Sequence, residues 1–187
     1  MIKRDFRFIT LICDAAHQSI IPTPRQQCDN KDGVALALCD FVATEGYGDH
    51  VGAFAVTVDE AFAAELEQLK ADGKQYEALM MQSLGDRLAE AASEWLHEKV
   101  RRELWGYAPE ERLSPKELFQ ASYQGIRPAV GYPSLPEQRE IFKLDALLDL
   151  QQIGIRLTEN GAMYPQASVC GLYLASPHAR YFVVKQD

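Results

Sequence analysis

The spacing of apolar residues changes character at Asp59. Upstream, residues 6–12 are rich in Phe, Ile and Leu and read as a strand, although a run this short also suits a helix. Pro22 and Pro24 interrupt regular structure, and residues 34–43 follow, with Val34, Leu36 and Leu38 alternating as in a second strand. A turn through Glu45-Gly46-Tyr47-Gly48-Asp49 leads to residues 51–58, whose small and β-branched side chains predict a strand packed closely on a neighbour. These two stretches are expected to pair as a hairpin.

Beyond Asp59 the period becomes helical. Phe62, Leu66 and Leu69 share one face of a helix that begins at the acidic pair Asp59-Glu60 and ends near Gly73. Residues 75–104 predict a longer helix, with Leu84, Leu88, Ala91, Trp95 and Val100 as its apolar stripe. Glu94, Glu98, Lys99 and Glu103 read there as solvated charges. Ser114-Pro-Lys-Glu117 and Ser134-Leu-Pro-Glu137 each have the layout of a capped helix start, the second ahead of Ile141, Leu144, Leu147 and Leu148. Residues 167–175 and 180–185 predict two strands separated by a Ser176-Pro177-His178 turn. The expected class is α+β, a single domain over residues 1–187 with helices segregated from a mostly antiparallel sheet.

Composition narrows the function classes. With 187 residues, 47% of them hydrophobic, the chain can bury a substantial core. A net charge of -8 without clustered Lys and Arg argues against a nucleic-acid surface. No apolar run is long enough to span a bilayer and no secretory leader is evident, which favours the cytoplasm. Cys13, Cys28, Cys39 and Cys170 form no C-x-x-C pair and read as free thiols, and the scattered His17, His50, His97 and His178 suggest no metal site.

Residues 125–133 form the irregular segment of greatest chemical interest. Two prolines restrict the backbone, Gly131 permits close approach, Arg127 can grip a carboxylate through two parallel bonds, and Tyr132 offers an aromatic face with a hydroxyl. An amino-acid-like ligand fits these tools. On composition alone, a rigid surface loop with a salt-bridged Arg fits equally well.

Arg127-Pro-Ala-Val-Gly-Tyr-Pro133 matches the R-P-A-x-G-Y-P signature of the activation domain of cobalamin-dependent methionine synthase. In collinear order the chain also carries Arg25-Gln-Gln27, Asp40-Phe-Val-Ala43, Gly52-Ala-Phe-Ala-Val-Thr57, Asp86-Arg-Leu-Ala-Glu90, Leu96-His97, Val100-Arg101, Trp105-Gly-Tyr-Ala108, Leu157-Thr-Glu159, Ala162-Met163 and Tyr181. Residues 24–186 therefore resemble that family. The resemblance implies a domain that binds S-adenosylmethionine over the corrinoid, so that oxidised cob(II)alamin is reductively methylated with an electron from a flavodoxin-like partner. It implies that Arg127 holds the ligand carboxylate, that backbone around Ala129 and Gly131 contacts the ligand, that Tyr132 approaches the corrinoid, and that Tyr181 and Phe182 line the site. No catalytic base or protein nucleophile is implied, because the cofactor carries the hard chemistry.

Three departures stand beside the resemblance. Ala121 occupies a position where the family commonly has Glu, Phe182 replaces the second Tyr of a pair, and Asn160-Gly-Ala-Met163 replaces S-F-A-M. The family's N-terminal helical portion and C-terminal helical tail have no counterpart in these residues. Because Tyr181 and Phe182 are adjacent on an expected strand, one is expected to face the ligand and the other the core. A second reading follows from the departures: a docking protein of the same fold that binds a corrinoid protein without the methyl donor. A stand-alone methyltransferase is disfavoured, since no G-x-G-x-x-G follows a strand.

Overall fold

In the computed structural model, which describes residues 3–5, 8–12, 18–27, 33–44 and 47–184, the chain opens with an antiparallel meander of β1 (Lys3–Asp5), β2 (Phe8–Ile12) and β3 (Gln18–Pro22). The expected first strand is thus present over residues 8–12, while residues 6 and 7 lie outside the described set. Next comes β4 (Gly52–Thr57), followed by α1 (Glu60–Ala71) and α2 (Gln75–Lys99). The short α3 (Pro115–Phe119) and α4 (Ile141–Leu148) precede β5 (Arg156–Leu157), β6 (Met163–Tyr164) and β7 (Ser168–Tyr173). No described helix is long and apolar enough to cross a membrane.

The hairpin expected from residues 34–43 and 51–58 does not form. β4 pairs instead with the distant β7, antiparallel, from Gly52 opposite Tyr173 to Thr57 opposite Ser168. Residues 34–37 belong to no strand, with Ala37 extended, and Leu38–Phe41 winds into a 3-10 turn. Asp40 directs this outcome: its Oδ2 accepts from the Ala37 amide at 2.9 Å, and its two oxygens take Nη1 and Nη2 of Arg25 at 2.6 and 2.8 Å. Every residue from Leu36 to Val42 except Asp40 is buried, so the apparent alternation reflected a continuous apolar run.

The strand period of two divides the sheet's surroundings into two cores. Cys170, Leu172 and Leu174 face the larger one with Leu38, Ile126, Leu135, Ile141, Leu144 and Ile155. Val169, Tyr173 and Phe54 face α2, where Ala89 and Val100 meet them. From Val169 to Tyr173 β7 is buried because both its faces are covered and both its edges are paired.

Helix α2 has the expected extent but not the expected orientation. Leu84, Leu88 and Trp95 are 55%, 49% and 60% exposed, and Ala91 is exposed too; only Val100 of the predicted stripe is buried. The packed face carries Ala78, Gly85, Ala89, Ser93 and His97. Small residues let the helix axis approach its neighbours: a Cβ on Gly85 would lie 2.7 Å from Phe62 of α1. At its end a single π turn, Val100–Leu104, admits one extra residue and turns the consecutive Val100 and Arg101 both inward.

The first predicted cap is present. Ser114 and Glu117 bond reciprocally at the start of α3, with the Ser114 amide 2.8 Å from Glu117 Oε2. The second is not, because Ser134 Oγ is committed elsewhere: it donates to the Phe182 carbonyl at 2.6 Å and accepts from the Phe182 amide at 3.2 Å. Glu137 caps instead, accepting from the Arg139 amide. The same bonds explain why described residues 180–184, expected as strand, form no ladder. Their amides are taken by the Ser134 hydroxyl and, at Val184, by the Pro133 carbonyl.

Candidate functional site

The 125–133 loop runs along the edge of β7 opposite β4. Ile126 and Leu174 exchange both backbone bonds, the Leu172 amide donates to the Pro128 carbonyl, and the Val130 amide donates to the Cys170 carbonyl. The backbones are close enough that a Cβ on Gly171 would stand 2.3 Å from the Pro128 oxygen and 2.7 Å from Ala129 Cα. The loop is therefore a third sheet member in all but regularity, and Arg127 projects from it towards α2.

Between α2, α3 and this loop lies a cavity of about 720 Å³. Ala129, Tyr132, Tyr181 and Arg127 line it, as four of the six residues expected at the site. The other two do not. Phe182 is buried in the larger core against Phe41, with ring centroids 6.2 Å apart, because the neighbouring Tyr181 takes the cavity side. Gly131 has φ 82°, and its close neighbour is the Gln138 side chain, whose Oε1 would lie 2.5 Å from an added Cβ.

Arg127 is the electrostatic centre. Its side chain is 16% exposed, its Nη1 lies 3.0 Å from Glu94 Oε2, and the same nitrogen donates to the Tyr123 hydroxyl at 3.0 Å. Its backbone amide donates to Tyr181 Oη at 3.0 Å, and the two tyrosine oxygens are 3.4 Å apart. Burial acts to lower the pKa of the guanidinium, but Tyr181, Tyr123 and Glu94 outweigh it and hold the pKa above the ordinary arginine value. At the rim, Tyr132 donates to Glu90 Oε1 at 2.6 Å. Burial, with the Glu90 bond, pushes that phenol up to about 12, so it remains a neutral donor near pH 7.

Several cavity residues escaped the sequence reading. Glu94, read as a solvated charge, faces Arg127; Trp95, more readily assigned to packing, opens onto the cavity with Leu118 and Phe119. The available signal was Glu90, Glu94 and Glu98 at four-residue intervals, a like-charge column that an isolated helix disfavours. Trp105 and Tyr107 do pack together, with centroids 5.3 Å apart. Arg25, Gln26 and the Asp40 turn support the core side rather than the cavity.

Behind the cavity wall, His97 lies fully buried between Tyr123 and Tyr173 and 3.3 Å from Tyr107 Oη. Burial, assisted by the nearby charges of Arg101 and Arg127, depresses its pKa from 6.5 to about 2. Arg101, also fully buried, bonds Glu111 at 2.6 Å and rests 4.4 Å over the Tyr123 ring. The neutral imidazole stabilises the fold fully above pH 6.5, and that contribution is lost as pH falls towards 2, because the unfolded chain takes up a proton the folded one refuses. A His97→Phe variant is expected to show a shallower loss of stability between pH 6.5 and 5, the difference in slope rising towards roughly 1.4 kcal/mol per pH unit at the acid end. Urea melts across that range would measure it; parallel slopes would exclude the residue as the source.

Comparisons with known proteins identify the family of the chain. The family model described as "Vitamin B12 dependent methionine synthase, activation domain" matches residues 5–186. The match begins well before residue 24, where the resemblance read from the motifs starts. A solved structure described as the crystal structure of the MetH reactivation domain bound to AdoHcy is 40% identical, with a TM-score of 0.89. That similarity covers 100% of this chain and 59% of the solved chain. This protein belongs to the family of vitamin B12-dependent methionine synthase activation domains.

Proposed function

We propose that this chain binds S-adenosylmethionine in the cavity between α2, α3 and the 125–133 loop, and thereby supports reductive methylation of cob(II)alamin carried by a corrinoid-binding module of methionine synthase. The observation that carries the reading is Arg127, a largely buried guanidinium facing a cavity of about 720 Å³ whose lining is mostly apolar apart from the carboxylates of α2 and the exposed Arg87. That volume lies within the usual range of about 300–1,000 Å³ for small-molecule sites. The related reactivation domain, bound to AdoHcy, shows the ligand class such a fold accepts.

Arg127 would hold the ligand carboxylate through its fork, with Tyr123 and Tyr181 fixing its position. Trp95, Leu118 and Phe119 would cover the apolar remainder and exclude water. Tyr132, half-exposed at the rim, stands between this cavity and a polar recess lined by Ser83, Asp86, Gln166 and Ser168. An aromatic ring beside a polar recess suits an amide-fringed corrinoid. Cobalamin, held by the partner module, supplies the cobalt centre that accepts the methyl group. The chain's own work is to bind and orient the donor. A flavodoxin-like protein would deliver the electron, and a cytoplasmic setting accommodates all three partners.

Calorimetric titration of the chain with S-adenosylmethionine tests the reading. Saturable one-to-one binding is expected, together with methylation of an added cob(II)alamin module under reducing conditions. A folded chain that binds no methyl donor yet still binds the corrinoid module would instead be a docking protein.

A further inference from the structure

Three carboxylates stand on successive turns of α2 along the cavity wall: Glu90, Glu94 and Glu98. Their partners differ. Glu98 is neutralised by Arg102 at 2.7 Å, whereas among the described residues Glu90 accepts a neutral hydroxyl, that of Tyr132. Glu94 meets Arg127 through Oε2, while its Oε1 is buried with no hydrogen bond among the described residues, 3.9 Å from Arg101 Nη1. Arg101 is already bonded to Glu111, and the remaining cation on the cavity lining is the exposed Arg87.

A ligand carboxylate on Arg127 would neutralise that guanidinium and release Glu94 from its role as counterion. The wall between Arg127 and Tyr132 would then carry the net negative charge of Glu94 and Glu90. That interval is where the ligand's sulfur must sit if its carboxylate is at Arg127 and its methyl group faces the rim at Tyr132. Resting on the S-adenosylmethionine reading, we propose that Glu94, with Glu90 one turn away, makes the cavity selective for the charged sulfonium donor over the neutral thioether left when the methyl group departs. Transfer removes one positive charge from the ligand, so the same wall holds the product less tightly than the donor, and exchange is favoured.

The two ligands share their adenosine and amino-acid parts, so the ratio of their affinities isolates the sulfonium charge. Titrations with S-adenosylmethionine and S-adenosylhomocysteine should show the wild type preferring the donor by roughly fivefold or more, as expected for a unit charge within several ångströms of a partly desolvated carboxylate. Glu94→Gln should collapse most of that preference, while Glu67→Gln, an equal change in net charge on the outer face of α1, should leave it intact. Equal affinities in the wild type, or a preference that survives Glu94→Gln, would overturn the inference while leaving the binding reading in place. If the wild type bound neither ligand, the binding reading itself would fall.

Discussion

Arg127→Ala is expected to weaken S-adenosylmethionine binding by about 30-fold or more, equivalent to roughly 2 kcal/mol for a charged hydrogen-bonded pair. The structure gives two reasons for an effect at the upper end. The guanidinium is positioned before the ligand arrives by Tyr123 and Glu94, so little ordering cost falls on binding. Its removal also leaves the cavity with Glu90, Glu94 and Glu98 and, among the described lining residues, only the exposed Arg87 as a cation. Arg127→Lys should recover only part of the loss, because a point charge cannot reproduce the planar fork. Calorimetry of the three proteins, with urea melts to establish that each is folded, measures this directly. Affinity unchanged in Arg127→Ala would place the ligand carboxylate elsewhere.

The second large effect is expected at Gly171, which touches no ligand. A single added methyl group would meet the Pro128 oxygen at 2.3 Å, Ala129 Cα at 2.7 Å and the Phe54 ring at 3.0 Å. Two of those three obstacles are backbone or backbone-bound, so side-chain rearrangement cannot relieve the contact. Gly171→Ala should cost about 3 kcal/mol, the upper part of the range for overpacking. It should also weaken donor binding, since the displaced loop carries Arg127. Val169→Ala on the same strand provides the contrast: a loss from its shrunken side chain, with the loop left in register. Chemical denaturation would read the first effect and calorimetry the second; a Gly171→Ala protein of wild-type stability would show that the loop is not seated on β7 as described.

The helical half of the molecule was legible because its signals are local. The Asp59 start of α1, the extent of α2 and the Ser114 box each depend on residues within one or two turns. Errors arose where long-range packing decided. In α2 the buried face belongs to Ala, Gly, Ser and His, since close approach mattered more there than side-chain size, and the larger apolar residues were left outside. The 34–43 stretch became a turn because Asp40 met Arg25 fifteen residues away in sequence, and residues 180–184 lost their ladder to the Ser134 hydroxyl. At the site, the loop signature revealed Arg127, Ala129 and Tyr132, and the strand argument allowed Tyr181 and Phe182 opposite faces. Glu94, Trp95 and Phe119 come from other segments, and only the tertiary arrangement brings them to the same cavity.

The seating of the loop on β7 also fixes how the site and the fold share their stability. The Ile126 and Val130 amides are bonded to a strand whose side chains are the floor of the main core, so exchange of those hydrogens with solvent requires the core itself to open. The binding loop is therefore expected among the slowest-exchanging amides of the molecule. A bound ligand consequently defends the whole chain: each tenfold rise in its concentration above saturation adds about 1.4 kcal/mol against global unfolding.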